Sequence, residues 1–453
     1  MVSWSQCVVY GLPGFGFGAV TVMISLFLPS LYADQLHVPL TSIGHVTSAV
    51  QIFDALSDPL LGYFSDRLKT SWGRRRPFML LGSWLLAGCF IALFTPPQTG
   101  HWSVALTWAT IWALLTQLSL TVARVPWLAW GIELSHEYHE KTRLVSLREL
   151  MWVLGSFLAA ILPLFMNIFT TLNEFTRLTV MAVLWSLLIV LNGTLCFCLL
   201  PDTLSVSPTS PSSTVSFLRR LPKLRAAWTL WLSTVLMTMA TTSNALLYPF
   251  FVRYVLEEEG GLSLLLGLYI LLGGFFVPFW AMASKRFDKR HTLAIATSIQ
   301  AVALLVAFLA VSPGAVGIYS GVIVLAGVSF GGVPVIRFSM LGDVADLLQL
   351  QTDGKNDEGK LVAIFDVSSK LAASALISLA FTVIDLSGYK ADEMQGASSK
   401  LAIRIFYGLV PCILGALSAM VIFFLYPLDR ARHAEVLNQL NKANPETLGK
   451  PAD

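Results

Sequence analysis

Apolar runs of about twenty residues, each long enough to cross a bilayer, alternate along the chain with short polar turns. Twelve can be marked from hydropathy and flanking turn residues: 8–32, 41–65, 78–96, 104–132, 146–168, 178–200, 226–252, 262–284, 291–311, 315–342, 361–387 and 401–426. One long polar stretch, 201–225, is rich in Pro and Ser and reads as a linker. It divides the chain into a bundle of six spans (1–200), a second six-span bundle (226–426) and a polar tail (427–453). Each half carries its main basic loop between its own second and third spans, Arg67–Arg76 and Lys285–Arg290. That weak internal symmetry is the mark of carriers built from two parallel six-helix halves. The predicted fold class is an all-α membrane protein, twelve transmembrane helices in two pseudo-symmetric bundles.

Composition agrees with the pattern. Of 453 residues, 55% are hydrophobic and only 13% charged, against about 25% charged in a soluble domain. The net charge of +3 says less than its distribution. The loop DRLKTSWGRRRP holds five Lys or Arg and SKRFDKRH holds four, whereas ADQLHVP, TPPQTGHWS and SPGAV hold none. The basic loops, and with them both termini, are therefore expected in the cytoplasm, and the acidic turn EEEGG (257–261) outside. The five cysteines fall in apolar segments with no metal or disulfide spacing. The first apolar stretch is too long, and lacks the basic flank, for a cleavable signal peptide. The expected setting is a bacterial inner (plasma) membrane, with the bilayer and a small molecule as partners, a monomeric state and no nucleic acid.

Ionisable side chains inside the spans carry the candidate chemistry, because a charge at that depth costs several kcal/mol unless paired or hydrated. Asp54 and Asp58 stand one helical turn apart on one face of span two, with Ser57 beside them. Two such carboxylates repel unless a cation or a proton relieves them, and oxygen ligands suit a hard ion. Arg124 lies on span four, Arg148 on span five, Arg337 on span ten with Asp343 and Asp346 near its end, and Asp366 and Lys370 on span eleven. The alternative is structural: Asp54 and Asp58 form salt bridges with Arg124, Arg148 or Lys370, and Asp366 pairs with Lys370 at i, i+4. The deep basic residues Arg124, Arg148, Arg337 and Lys370 outnumber Asp54, Asp58 and Asp366 by four to three. A cavity so lined favours an anion accompanied by a cation, since guanidinium grips carboxylate, sulfonate or phosphate in a fork. Trp127 is a candidate to stack on a sugar face, and equally fits a packing or lipid-facing aromatic. The GFGFGAV glycines of span one suggest a packing strip, and Pro59, Pro126 and Pro334 suggest bends.

The segment DALSDPLLGYFSDRLKTSWGRRRPF resembles span two and the following loop of the glycoside–pentoside–hexuronide:cation symporters, the melibiose-permease-like family of the major facilitator superfamily. VPWLAWGIELSHEYHEKTRLVSLRE resembles its span four to five region. SMLGDVADLLQLQTDGK with FDVSSKLAASALISLAFTVIDLSGY resembles the end of span ten through span eleven. The resemblance implies a cation site at Asp54, Ser57, Asp58 and Thr121 for Na⁺ or H⁺. Ser57 stands where asparagine is commoner. It also implies roles for Arg148 and Lys370. The sugar-binding carboxylates of melibiose permease fall at Gly18 and Arg124, its span-ten tryptophan at Pro334 and a nearby glutamine at Arg337, so a neutral galactoside loses its acceptors. The implied function is alternating-access symport of an anionic glycoside or hexuronide. Substrate-binding candidates are Arg124, Trp127, Arg148, Arg337 and Lys370; Asp366, Asp343 and Asp346 are candidates for coupling or gating. No cofactor is expected beyond the coupling ion. Two alternatives stand beside this: a carrier of a lysophospholipid-like amphiphile, as in one branch of the family, and a membrane-embedded Mg-dependent prenyltransferase-type enzyme.

Overall fold

The computed structural model describes residues 3–67, 70, 72–98, 100–134, 138–200, 221–258, 262–351, 358–390 and 393–443. Twelve long helices account for most of them: α1 Trp4–Gln35, α2 Leu40–Arg67, α3 Arg76–Leu93, α4 Trp102–Glu133, α5 Tyr138–Phe169, α6 Glu174–Leu199, α7 Arg225–Leu256, α8 Leu262–Arg286, α9 Lys289–Ala310, α10 Val316–Leu350, α11 Glu358–Leu386 and α12 Ala397–Leu425. Among the described residues, eleven of these helices are long and apolar enough to cross a membrane on their own count. The exception is α2, long enough at 28 residues but interrupted by its carboxylates. A thirteenth helix, α13 Arg430–Ala443, occupies the part of the tail that follows Pro427. Most of the 201–225 linker, the glycines of the EEEGG turn and the end of the tail lie outside the described residues.

The packing pairs repeat with a shift of six helices. α1 packs on α5 and α6, and α7 packs on α11 and α12. α3 packs on α4 and α6, and α9 on α10 and α12. The two six-helix sets meet through a swapped pair, α2 against α11 and α8 against α5, with α1 touching α7. The pseudo-symmetry expected from the basic loops is therefore present in the helix neighbours themselves.

Backbone approach explains the glycine strip. A Cβ on Gly14 would lie 2.8 Å from the Arg148 carbonyl oxygen, and one on Gly18 only 2.3 Å from that of Trp152. From the other side, a Cβ on Gly155 would fall 1.8 Å from the Phe15 carbonyl. α1 and α5 thus touch main chain to main chain, the close contact that small residues permit in lipid. Of the three prolines expected to bend helices, Pro59 and Pro126 sit within continuous helix. Pro334 follows an interruption of α10 at Gly331. Proline lacks the N–H that would bond the Phe330 carbonyl, and a Cβ on Gly331 would meet the Gly273 carbonyl of α8 at 2.0 Å.

The two sets are tied together at the end opposite the basic loops. Asp34 at the end of α1 is buried and accepts hydrogen bonds from Arg253 and from the hydroxyls of Tyr254 (2.8 Å) and Tyr389 (2.6 Å). Arg253 also binds Glu174 of α6 at 3.1 Å. The Thr41 hydroxyl donates to Asp385 at 2.6 Å, and deeper in the same seam Ser48 donates to the Ser374 carbonyl at 2.7 Å.

Candidate functional site

Half-way along the α2–α11 seam the charged side chains converge on Lys370. Its Nζ lies 2.8 Å from Asp54 Oδ2, 2.9 Å from Asp58 Oδ2 and 2.6 Å from Asp366 Oδ2. Helical spacing places the first two acids: Asp54 and Asp58 are one turn apart, so both point across the seam. Arg124 of α4 joins from the side, with Nη2 3.3 Å from Asp58 Oδ2. Asp54 Oδ1 accepts from Gln117 Nε2 at 2.5 Å and from Thr121 Oγ1 at 3.3 Å, both on one face of α4. Asp58 Oδ1 is buried and has no hydrogen-bond partner among the described residues. Asp366 is half exposed, at 52% of its side-chain surface, so the cluster is wet on one side.

Several predicted residues meet here: Asp54, Asp58, Thr121, Arg124, Lys370 and Asp366. The salt bridges of the structural alternative are formed with Lys370 and Arg124, which supply positive charge to the same oxygens an ion would seek. Ser57 lies within the cluster, but its hydroxyl donates to the Asp54 carbonyl at 3.2 Å instead of facing the carboxylates. Arg148 pairs with its neighbour Glu149 at 2.6 Å and lies beside Tyr10. Arg337 is half-buried, within electrostatic reach of Asp366, and forms no hydrogen bond or ion pair among the described residues.

Three candidates are engaged elsewhere. Trp127 is 1% exposed; its indole N–H donates to the Tyr10 carbonyl at 2.9 Å and its ring is packed by Tyr10 and Phe17. It offers no free face to a sugar in this conformation, and packing between α1 and α4 accounts for it. Asp343 binds Lys289 at 2.7 Å, and Asp346 receives His433 of α13 at 3.0 Å. Those two acids dock the tail helix and the start of α9 onto α10. Sequence reading missed Gln117, whose polar character alone, one turn before Thr121 on the same face, was the available signal. It also missed the Asp34–Arg253–Glu174 set, whose members sit at span ends where charge is commonplace.

Comparison with known proteins agrees with this architecture. Residues 9–430 match a family model described as MFS/sugar transport protein. The uncharacterized symporter YjmB of Bacillus subtilis (strain 168) is 24% identical, covering 97% of this chain and 96% of that one. A glucuronide carrier protein homolog of Escherichia coli (strain K12) is also 24% identical, over 97% and 96%. Among solved structures, the xylose transporter XylE from E. coli in an inward-open conformation superposes with a TM-score of 0.69 at 15% identity, covering 96% of this chain and 99% of that one. With two swapped six-helix sets around a charged seam and a family model spanning nearly its full length, this chain belongs to the MFS/sugar transport protein family.

Proposed function

We propose that the protein is a cation-coupled symporter of an anionic glycoside or hexuronide. The observation that carries the reading is the Lys370 cluster. Two acids from one six-helix set and a lysine from the other meet at the seam that must open and close in alternating access. A proton or sodium ion arriving at Asp54 and Asp58 competes with Lys370 and Arg124 for the same oxygens. The released cationic groups then face the cavity with Arg148 and Arg337, where a carboxylate or sulfonate can be gripped. A glucuronide carrier protein homolog among the relatives supports the anionic class, and Gly18, held against the α5 backbone, offers no side-chain acceptor at that position of α1. We take the basic end as cytoplasmic. The sealed end is then outside, and we assign the two six-helix bundles to 1–200 and 226–426.

The amphiphile alternative shares the cationic lining; uptake of a uronide without lysophospholipid uptake discriminates them. The enzyme alternative needs clustered carboxylates free to hold a metal diphosphate, and Asp54, Asp58 and Asp366 are all engaged by Lys370. The deciding experiment is gradient-driven accumulation of a glucuronide in proteoliposomes by wild type and Asp58→Asn. Accumulation should be lost in the variant while exchange down a gradient persists. Full accumulation by Asp58→Asn removes the coupling assignment.

A further inference from the structure

The two acids of the cluster are not equivalent. Asp54 carries donors on both oxygens: Gln117 Nε2 at 2.5 Å and Thr121 Oγ1 at 3.3 Å on Oδ1, and Lys370 Nζ at 2.8 Å on Oδ2. Asp58 carries Lys370 and Arg124 on Oδ2 alone, and its buried Oδ1 has no hydrogen-bond partner among the described residues. A carboxylate only accepts, so the Gln117 amide must turn its N–H₂ toward Asp54 and its oxygen away. Ser57 is likewise turned aside, donating to the Asp54 carbonyl.

We propose that Gln117 is a specificity-determining residue of this cation site: its amide N–H₂, held against Asp54 across the α2–α4 contact, disfavours sodium and leaves the proton as the coupling ion. The inference rests on the symport reading above. Sodium needs several oxygens at once. Apart from Asp58 Oδ1, the nearest carboxylate oxygens already accept from donors, and the neighbouring hydroxyl and amide groups of Ser57, Thr121 and Gln117 are themselves donating. Coordinating it requires the Gln117 amide to flip and give up a hydrogen bond to a charged group, a loss on the order of tenfold to a hundredfold in affinity. A proton requires none of this. It forms one O–H bond on Asp58 Oδ1 and leaves the donors on Asp54 in place. The charged groups facing that oxygen's carboxyl are Lys370 and Arg124, with Asp54 and Asp366 sharing Lys370 and Arg337 flanking Asp366.

The test uses sodium itself as the probe on the purified full chain. Melting temperature is followed in NaCl against choline chloride for wild type, Gln117→Ala and Gln117→Ala/Asp58→Asn. Wild type should show little sodium-specific stabilisation. Gln117→Ala, which removes the amide and frees Asp54 Oδ1, should show a clear one, with apparent affinity at least about tenfold higher. The double variant should lose the gain. Gln117→Ser, which offers an oxygen in less space, serves in the same way if the alanine variant folds poorly. Sodium stabilisation of wild type equal to that of Gln117→Ala, abolished by Asp58→Asn, overturns the role of Gln117 and leaves the cation site intact. A gain that survives Asp58→Asn sinks the cation-site reading and this inference with it.

Discussion

Asp34→Asn probes the seal at the end opposite the basic loops. The wild-type carboxylate, 1% exposed, holds Arg253, Tyr254 and Tyr389 from the other six-helix set. Removing one partner of a buried ion pair costs about 3–5 kcal/mol, because the remaining charge is left without compensation. Arg253 retains Glu174 at 3.1 Å, and asparagine still accepts from one tyrosine. We therefore discount the loss to about 2–3 kcal/mol. That loss falls on the state closed at this end alone, since the contacts join sets that separate when this end opens. The equilibrium should move roughly 30- to 150-fold toward the state open at this end. The reporter is a single cysteine at Ser374, 2% exposed beneath the seal, in a background without the five native cysteines. Its labelling by a membrane-impermeant maleimide from the Asp34 side should accelerate by a comparable factor. Unchanged labelling in a folded Asp34→Asn protein would refute the view that this cluster holds the end shut.

The Tyr389 phenol has its pKa raised, first by burial and then by the Asp34 charge. Its contribution to the seal is thus complete below about pH 10 and declines as pH rises beyond the ordinary tyrosine value; Ser374→Cys labelling across an alkaline series should stay flat to that point and then climb. Arg124→Ala should weaken glucuronide uptake about tenfold or more while altering a neutral glycoside little, since a hydrogen bond to a charged group is worth about 1.5–3 kcal/mol; equal losses would remove the charge argument. Gly155→Val should lower thermal stability sharply, because its first side-chain atom would already lie 1.8 Å from the Phe15 carbonyl; an unchanged melting temperature would contradict the α1–α5 contact.

The helices were legible because a lipid solvent imposes one rule, continuous apolar length with every backbone group bonded internally. Even α2, which falls short of an apolar test on its own count, is marked by the apolar run over 41–65 that surrounds Asp54 and Asp58. Span ten, expected over 315–342, runs on to Leu350, because hydropathy falls before the helix ends. Deep charges were legible as a cluster, since each needs a partner and few are available. Gln117 was not, because an uncharged amide carries no such penalty and competes with many polar residues for attention. Trp127 reads either way in sequence for a related reason. An indole beside a cavity and an indole between two helices look alike in sequence, and only the Tyr10 carbonyl that receives its N–H distinguishes them.

The main-chain contact between α1 and α5 limits what substitution can do to substrate choice. A galactoside-type acid grafted at position 18 would have to enter where the Trp152 carbonyl already stands. The two helices would have to part before the new carboxylate could reach a sugar. A single replacement at position 18 therefore cannot present a sugar-binding acid while α1 and α5 keep this contact.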